Sequence, residues 1–320
     1  TGRIAFEVFG KNQIYTSNAD GAELTHLADV DADPWQLQWA PDGTHLALRS
    51  IEGDIYVMKA DGSNLIRLVE TEGAGLFSWS PDSKNIVFDS YTDAELSFLS
   101  ELQLYTINID GTGRTQITKE QGHRGHPAWS PDGRQLAFQF TEDMFKGNYQ
   151  IHLIDIDGSR ETSIAAGFAY AQDILWSPDG KRLLIASGNP VQIYVMSADG
   201  SQRKQLTTTP DSKIQPSWSP DGRQILYTSF GGGSSSKVYV MNADGTGQRQ
   251  LTYNPDAGDG FAEWSPDGQW ITYTSTRINS ETNYCCTNCC VTVYMMKSDG
   301  SGQRKLTNEI ESTWRATWQP

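Results

Sequence analysis

Four cysteines stand in one six-residue run, Cys285-Cys286-Thr287-Asn288-Cys289-Cys290, and the chain has no others. Thiols this close can do two kinds of chemistry. With Thr287-Asn288 as a two-residue hairpin turn, Cys286 faces Cys289 and Cys285 faces Cys290. The outer pair is then the non-hydrogen-bonded one, where side chains approach closest. Two cross-strand disulfides would staple the loop. A vicinal Cys285–Cys286 bond is a further pairing. The rival is a metal held through Cys286-x-x-Cys289. One short segment rarely supplies four tetrahedral ligands, however, and no His is near in sequence. Disulfides are the expectation. They imply an oxidising compartment, extracellular or periplasmic; a cytoplasmic sensor domain is the alternative.

His123 and His126 sit three apart in Gln-Gly-His-Arg-Gly-His-Pro, a spacing that suits a metal. A third His is not obvious, because His26, His45 and His152 fall on other strands or turns. Asp29-x-Asp31-x-Asp33 is similar to the start of a calcium loop. It lacks the following Gly, and Ala40 stands where the closing Glu belongs. Asp256 and Asp259 form a second weak acidic pair. Calcium is therefore the one cofactor candidate, and none is firm. The run Phe230-Gly231-Gly232-Gly233-Ser234-Ser235-Ser236 lacks the Lys-Ser/Thr and helix of a phosphate loop, and reads as a flexible connection.

These residues must be positioned by the rest of the chain. It has 320 residues, 25 Lys plus Arg against 39 Asp plus Glu, and a net charge of −14. That balance argues against nucleic acid or anionic lipid as partner. No apolar run is long enough to insert in a membrane. The chain starts at Thr1 rather than Met, so it is expected to be a mature protein or a piece excised from a larger chain.

Internal repeats set the architecture. Trp-x-Pro recurs at Trp39, Trp79, Trp129, Trp176, Trp218, Trp264 and Trp318, at spacings of 40 to 54 residues. Six of the seven copies continue with Asp, and Gly usually follows. Between them runs a second element, from Ile14-Tyr15…Asp20-Gly21 through Val293-Tyr294…Asp299-Gly300. Each unit reads as four short strands. In the second unit these are Gln36 to Trp39, Leu46 to Ser50, Ile55 to Lys59 and Leu65 to Val69. Pro41-Asp42-Gly43 turns the first pair, and Asp61-Gly62 is expected as a primed two-residue turn. The fold class is all-β: a single seven-bladed β-propeller of four antiparallel strands per blade. The chain opens on a second strand (Arg3 to Val8) and closes on a first strand at Trp318. The C-terminal strand is therefore expected to complete the N-terminal blade and leave no open edge. One domain over 1–320 is expected, with blades at 1–28 plus 313–320, 35–69, 76–118, 126–165, 173–207, 215–252 and 261–307.

The run Trp-Ser-Pro-Asp-Gly, then Ile-Tyr-Val-Met-x-Ala-Asp-Gly, then Leu-Thr resembles the TolB-type β-propeller repeat. Ile193 to Gly200 with Leu206-Thr207, and Val238 to Gly245 with Leu251-Thr252, carry it most fully. The resemblance covers essentially the whole chain and implies the propeller fold. TolB's own propeller has six blades and a separate N-terminal domain, so its role does not transfer. The repeat is also similar to the seven-bladed lid of prolyl-oligopeptidase-like enzymes, but no Gly-x-Ser-x-Gly elbow is present for their hydrolase half. Seven-bladed pectate-type lyases hold a metal through His near the channel, and that similarity makes His123 and His126 the best enzyme lead.

Variation concentrates on one face. The first-to-second and third-to-fourth strand turns share a regular face of Pro-Asp-Gly and Asp-Gly turns. The other face carries irregular loops, long at Tyr91 to Glu101, Thr141 to Tyr149, Phe230 to Lys237 and Arg277 to Cys290, and it holds nearly all the net charge. Loops of this kind on a rigid scaffold carry binding residues. Trp35, Tyr91, Phe145, Tyr170, Tyr253, Phe261, Trp314 and Arg315 accompany the acids, together with His123 and His126 at the channel mouth. The expected function is a non-catalytic binding module, recognising a protein or glycan, with a basic patch on the partner. The alternatives are a metal-assisted polysaccharide lyase or hydrolase at the channel mouth and a structural surface spacer.

Overall fold

Each Trp-Ser-Pro-Asp-Gly run folds as a clasp. In the seventh blade Ser265 Oγ donates to Asp267 Oδ1 at 2.6 Å and accepts from Trp270 N at 2.9 Å, while Gly268 N donates to Ser265 O at 2.8 Å. Gly268 has φ +68, a conformation that glycine reaches without a Cβ clash. The same Ser–Asp hydrogen bond recurs at Ser80, Ser130, Ser177 and Ser219. The turn is thus set by local chemistry, and it joins a first strand to a second strand in register.

The computed structural model describes residues 2–8, 10–70, 75–92, 100–231, 234–276, 291–307 and 313–320. They form seven four-stranded antiparallel sheets arranged as the blades of a propeller, with no helix among the described residues. The first strands of the blades are Thr313–Trp318, Pro34–Trp39, Phe77–Trp79, His123–Trp129, Ala171–Trp176, Ser212–Trp218 and Asp259–Trp264. They pack side by side around the axis. The closing strand pairs with Arg3–Val8, with Ile4 opposite Trp318 and Val8 opposite Thr313. The ring is therefore closed by hydrogen bonds between the two ends of the chain, as expected.

Hydrophobic packing falls between blades as well as within them. One cluster joins Ala5 and Ile14 of the first blade to Trp39, Leu46 and Leu48 of the second; another joins Ile4, Phe6 and Trp318 of the first to Val293 and Met295 of the seventh. Several repeat tryptophans add a polar stitch. The indole N–H of Trp79 donates to Gln38 O at 3.1 Å, that of Trp176 to Ala128 O at 3.1 Å, and that of Trp39 to Thr317 O at 3.3 Å. Each reaches the preceding blade's first strand, so one residue type both fills and registers the seam.

Two local expectations need correction. The Asp-Gly turn is a three-residue loop, not a primed pair. Lys59 N donates to Ser63 O, Gly62 N donates to Lys59 O, and only Gly62 has positive φ. A primed type I′ turn needs positive φ at both central residues, and Asp61 does not adopt it. The described parts of the sixth blade's Gly-Ser run, residues 230–231 and 234–236, are ladder rather than loose connection. Strands Gln224–Gly231 and Ser234–Asn242 continue the pairing, with Ser229 opposite Lys237 and Gly231 opposite Ser234.

Candidate functional site

The residue three before each repeat Trp is Gln36, Leu76, His126, Asp173, Gln215, Phe261 or Arg315. At this position the innermost strand slips register in most blades, for example between Gly125 and Ala128 and between Gly260 and Glu263. His126, Gln215, Phe261 and Arg315 have φ of +57, +53, +49 and +44. A β-bulge re-aims the side chain it carries, and positive φ at a non-glycine residue costs roughly 1 kcal/mol or more. Side chains of the preceding blade hold the bulges in place. Asp89 Oδ2 accepts from His126 N at 2.9 Å, and Gln215 Oε1 accepts from Phe261 N at 3.0 Å. The bulges ring the channel mouth on the irregular face, and two cavities open among them.

The first cavity, about 240 Å³, is lined by Glu7, Asp33, Trp35, Ile51, Trp314 and Arg315. Arg315 lies over the Trp35 ring at 4.0 Å and the Phe261 ring at 4.7 Å from the centroids, and Phe261 meets Trp314 edge-on at 5.8 Å. Glu7 is only 4% exposed, and burial pushes its carboxyl up to about 8, against the pull of Arg315. Burial likewise brings Arg315 down to about 10, with Glu7 acting in the opposite sense.

The second cavity, about 220 Å³, is lined by Asp89, Tyr91, His123, His126, Tyr149 and Tyr170 among others. His126 Nε2 and the Tyr170 hydroxyl share a very short hydrogen bond, and their rings meet edge-on. His123 Nδ1 accepts from Leu102 N at 3.3 Å. Desolvation holds His126 down at about 4 and raises Asp89 to about 6 and Tyr170 to about 12. At neutral pH His126 is uncharged. Arg49 couples the two cavities, because it lies within electrostatic reach of both Asp89 and Arg315. Further round the ring, burial also raises Asp173 to about 6 and Glu263 to about 7. Ionisable groups displaced in this way and gathered in one place mark a functional-site candidate.

The sequence-selected residues divide accordingly. Trp35, Phe261, Trp314 and Arg315 come together at the first cavity, and Tyr91, His123, His126 and Tyr170 at the second. Phe145 and Tyr253 stand apart, 90% and 68% exposed. Asp29 is exposed and bonded to Gln13 and His26; Asp31 and Asp256 are exposed, and Asp33 sits at the rim of the first cavity. Asp259 is buried and accepts from Ser275 Oγ at 2.5 Å. Among the described residues no three His, Cys, Asp or Glu side chains gather to hold a metal, so the acidic pairs and His123 with His126 are not assembled into such a set. The cysteines 285, 286, 289 and 290 lie outside the described residues.

Sequence reasoning missed Glu7, Arg49 and Asp89. All three are charged residues inside otherwise apolar second strands, and Arg49 and Asp89 each lie ten residues after a repeat Trp. That shared position was the available signal. Larger grooves on the regular face, about 550 and 570 Å³, are lined by turn residues such as Asp132, Gly133 and Asp179. Their carboxylates are already spent: Asp132 Oδ1 takes Ser130 Oγ and Arg134 N, which hold it below the usual carboxylate range.

Comparison with known proteins agrees with this architecture. The family model of the TolB beta propeller domain matches residues 78–236. The Tol-Pal system protein TolB of Alcanivorax borkumensis is 29% identical over 113 residues, 35% of this chain and 21% of that protein. An uncharacterized peptidase, YuxL, of Bacillus subtilis is 32% identical over 161 residues, 39% of this chain and 24% of that one. Both matches thus span about a quarter or less of the relative's own length. Among solved structures, oligogalacturonate lyase from Vibrio parahaemolyticus superposes with a TM-score of 0.64 at 14% identity, covering 95% of this chain and 86% of that one, which speaks to fold alone. With the repeat, the seven blades and the family match in agreement, the chain belongs to the TolB-type β-propeller repeat family, in a seven-bladed form.

Proposed function

We propose that this propeller is a non-catalytic binding module that recognises a protein through its irregular, acidic and aromatic face. The observation that carries the reading is where large apolar side chains are left in water. Of seven exposed large apolar side chains among the described residues, six, Trp35, Ile51, Phe145, Tyr170, Phe230 and Tyr253, belong to the irregular face; Ile66, on an outer strand, is the exception. Exposed apolar groups gathered on one face mark an interaction site, and the acids among them select a partner with a basic patch. The acids set among those exposed rings favour a protein carrying basic side chains over a neutral glycan as the partner. We place the module outside the cytoplasm, on the reading of the four cysteines as disulfides.

The test is capture from native extract with wild-type protein and with a variant carrying Asp29→Lys, Asp31→Lys and Asp33→Lys. A partner held at low salt, released at high salt and not held by the variant supports the reading. Capture that survives the three reversals overturns the acidic-face part of it, and selective retention of a glycan overturns the choice of a protein.

A metal-assisted polysaccharide lyase at the channel mouth is the second reading. It is favoured by His123 and His126 lining one cavity in a fold shared with a lyase. It ranks lower because His126 Nε2 is engaged by Tyr170 and no third ligand stands with the pair among the described residues. A chelator-sensitive eliminase activity lost in His126→Ala would reverse that ranking.

A further inference from the structure

Arg315 is held differently from the hydrogen-bonded arginines of this protein. Arg124 donates to Glu161 and three carbonyls, Arg67 to Asp54, Arg203 to Ala166 O, and Arg304 to Ala19 O and Asp20 O. Arg315 makes ring contacts instead, as Arg114 does over Phe88 and Tyr105, and Arg315 does so at a cavity wall. It lies over Trp35 at 4.0 Å and Phe261 at 4.7 Å, and among the described residues its guanidinium has neither a hydrogen bond nor an ion pair. Aromatic contacts fix the position of a guanidinium without consuming its N–H donors. The fork is thus positioned and unspent, at the wall of a 240 Å³ cavity.

The second group on that wall is Glu7. Its side chain is buried, and Oε2 has no partner among the described residues. Burial pushes its carboxyl up to about 8, so at neutral pH it is mostly a neutral acid with an O–H to give. Two groups that can donate therefore face a space large enough for one side chain. A fork of this kind matches a carboxylate in two parallel hydrogen bonds.

We propose that this cavity is a carboxylate-recognition site, in which Arg315 and Glu7 hydrogen-bond an acidic side chain or the C-terminal carboxylate of a protein partner. The inference rests on the protein-binding reading above and adds a requirement to it. Asp33 stands exposed at the rim, with Asp31 close by in sequence, so a bare anion is repelled on approach. The carboxylate must arrive in a segment whose flanks are basic. The acidic face attracts the flanks, and the cavity reads the single acid between them.

The test uses two capped peptides, a glutamate flanked on each side by two lysines and its glutamine counterpart, with free glucuronate as a third probe. Binding to the full chain is read by calorimetry. The glutamate peptide is expected to bind about tenfold more tightly than the glutamine one. Arg315→Gln is expected to bind the two alike, and Arg315→Lys to keep part of the preference. Arg315 sits at a bulge, so melting curves accompany each variant. Trp35→Ala, at an exposed ring, gives an independent reading by weakening the preference several-fold while the bulge stays intact. Equal binding of the two peptides to wild type overturns the proposal. So does a preference that survives Arg315→Gln, or glucuronate binding more tightly than the glutamate peptide. A natural partner that is captured by the irregular face and held equally by Arg315→Gln sinks this site while leaving the binding-module reading in place.

Discussion

Replacing Glu263 by Gln should stabilise the ring closure only above a definable pH. Glu263 lies on the seventh blade's innermost strand, and its Oε1 accepts from Thr317 Oγ1 at 3.0 Å and from Trp318 N at 3.4 Å. Both donors belong to the C-terminal strand that completes the first blade. Burial raises this carboxyl from 4.5 to about 7, although the two hydrogen bonds act the other way. A raised carboxyl contributes stability that is fully present below about pH 4.5 and is lost as pH rises through about 7. At roughly 1.4 kcal/mol per pKa unit the shift corresponds to about 3 kcal/mol. The side chain keeps some contact with water, so about 2 kcal/mol is the better expectation. Glutamine is neutral throughout. The stability difference between variant and wild type should therefore be constant below about pH 4.5, grow in favour of Glu263→Gln to pH 7, and level off above it. A missing acceptor for the new amide would offset the whole curve by roughly 1 kcal/mol without changing its slope. Urea midpoints of both proteins from pH 4 to 8.5 measure the difference directly. A difference that is flat across the window, or that moves in favour of wild type with rising pH, refutes the reasoning and means that Glu263 is ionised in the folded ring.

Gly75→Ala should cost about 2 to 3 kcal/mol by denaturant titration, because its Cβ would lie 1.7 Å from Asp89 Oδ1 and that carboxylate is buried. Gly10→Ala meets nothing within 4 Å and should cost only about 1 kcal/mol for its φ of +72; equal losses at the two positions would remove crowding as the cause. The intact mass of unreduced protein should be lighter than the reduced form by two hydrogens for each disulfide formed by Cys285, Cys286, Cys289 and Cys290. Free thiols, or zinc released by a thiol reagent, would move the module back toward the cytoplasm.

The fold was readable because its signals are local. Ser265, Pro266, Asp267 and Gly268 make their turn from their own side chains and backbone, and the same chemistry recurs in other blades. Trp39 and Trp79 mark the innermost strands for a similar reason, since each fills a seam that every blade has. The Asp61-Gly62 turn was misread because a dipeptide does not show whether one or two residues take positive φ. The site was half readable. Trp35, Phe261, Trp314 and Arg315 stood out by type, and the structure adds that they touch. Glu7, Arg49 and Asp89 did not stand out, because the importance of a charge in an apolar strand depends on which neighbouring blade it faces. Asp89 illustrates this: its partner His126 N is 37 residues away in sequence and belongs to the next blade.

The two faces differ in what their polar groups still have to give. On the regular face the turn acids are consumed by the fold: Asp42, Asp132, Asp179 and Asp221 each accept hydrogen bonds from their own turns and sit below the usual carboxylate range. On the irregular face burial displaces Glu7, Asp89, Asp173 and Glu263 upward, and Arg315 keeps its donors unspent among the described residues. A repeat that satisfies itself has no capacity left for a ligand. The capacity appears at the channel mouth, where the bulge at His126, Gln215, Phe261 and Arg315 breaks the strand ladder and turns one side chain per blade toward the ring. Because six residue types occupy that one position across the seven blades, the repeat supplies the geometry and the departures from it supply the chemistry.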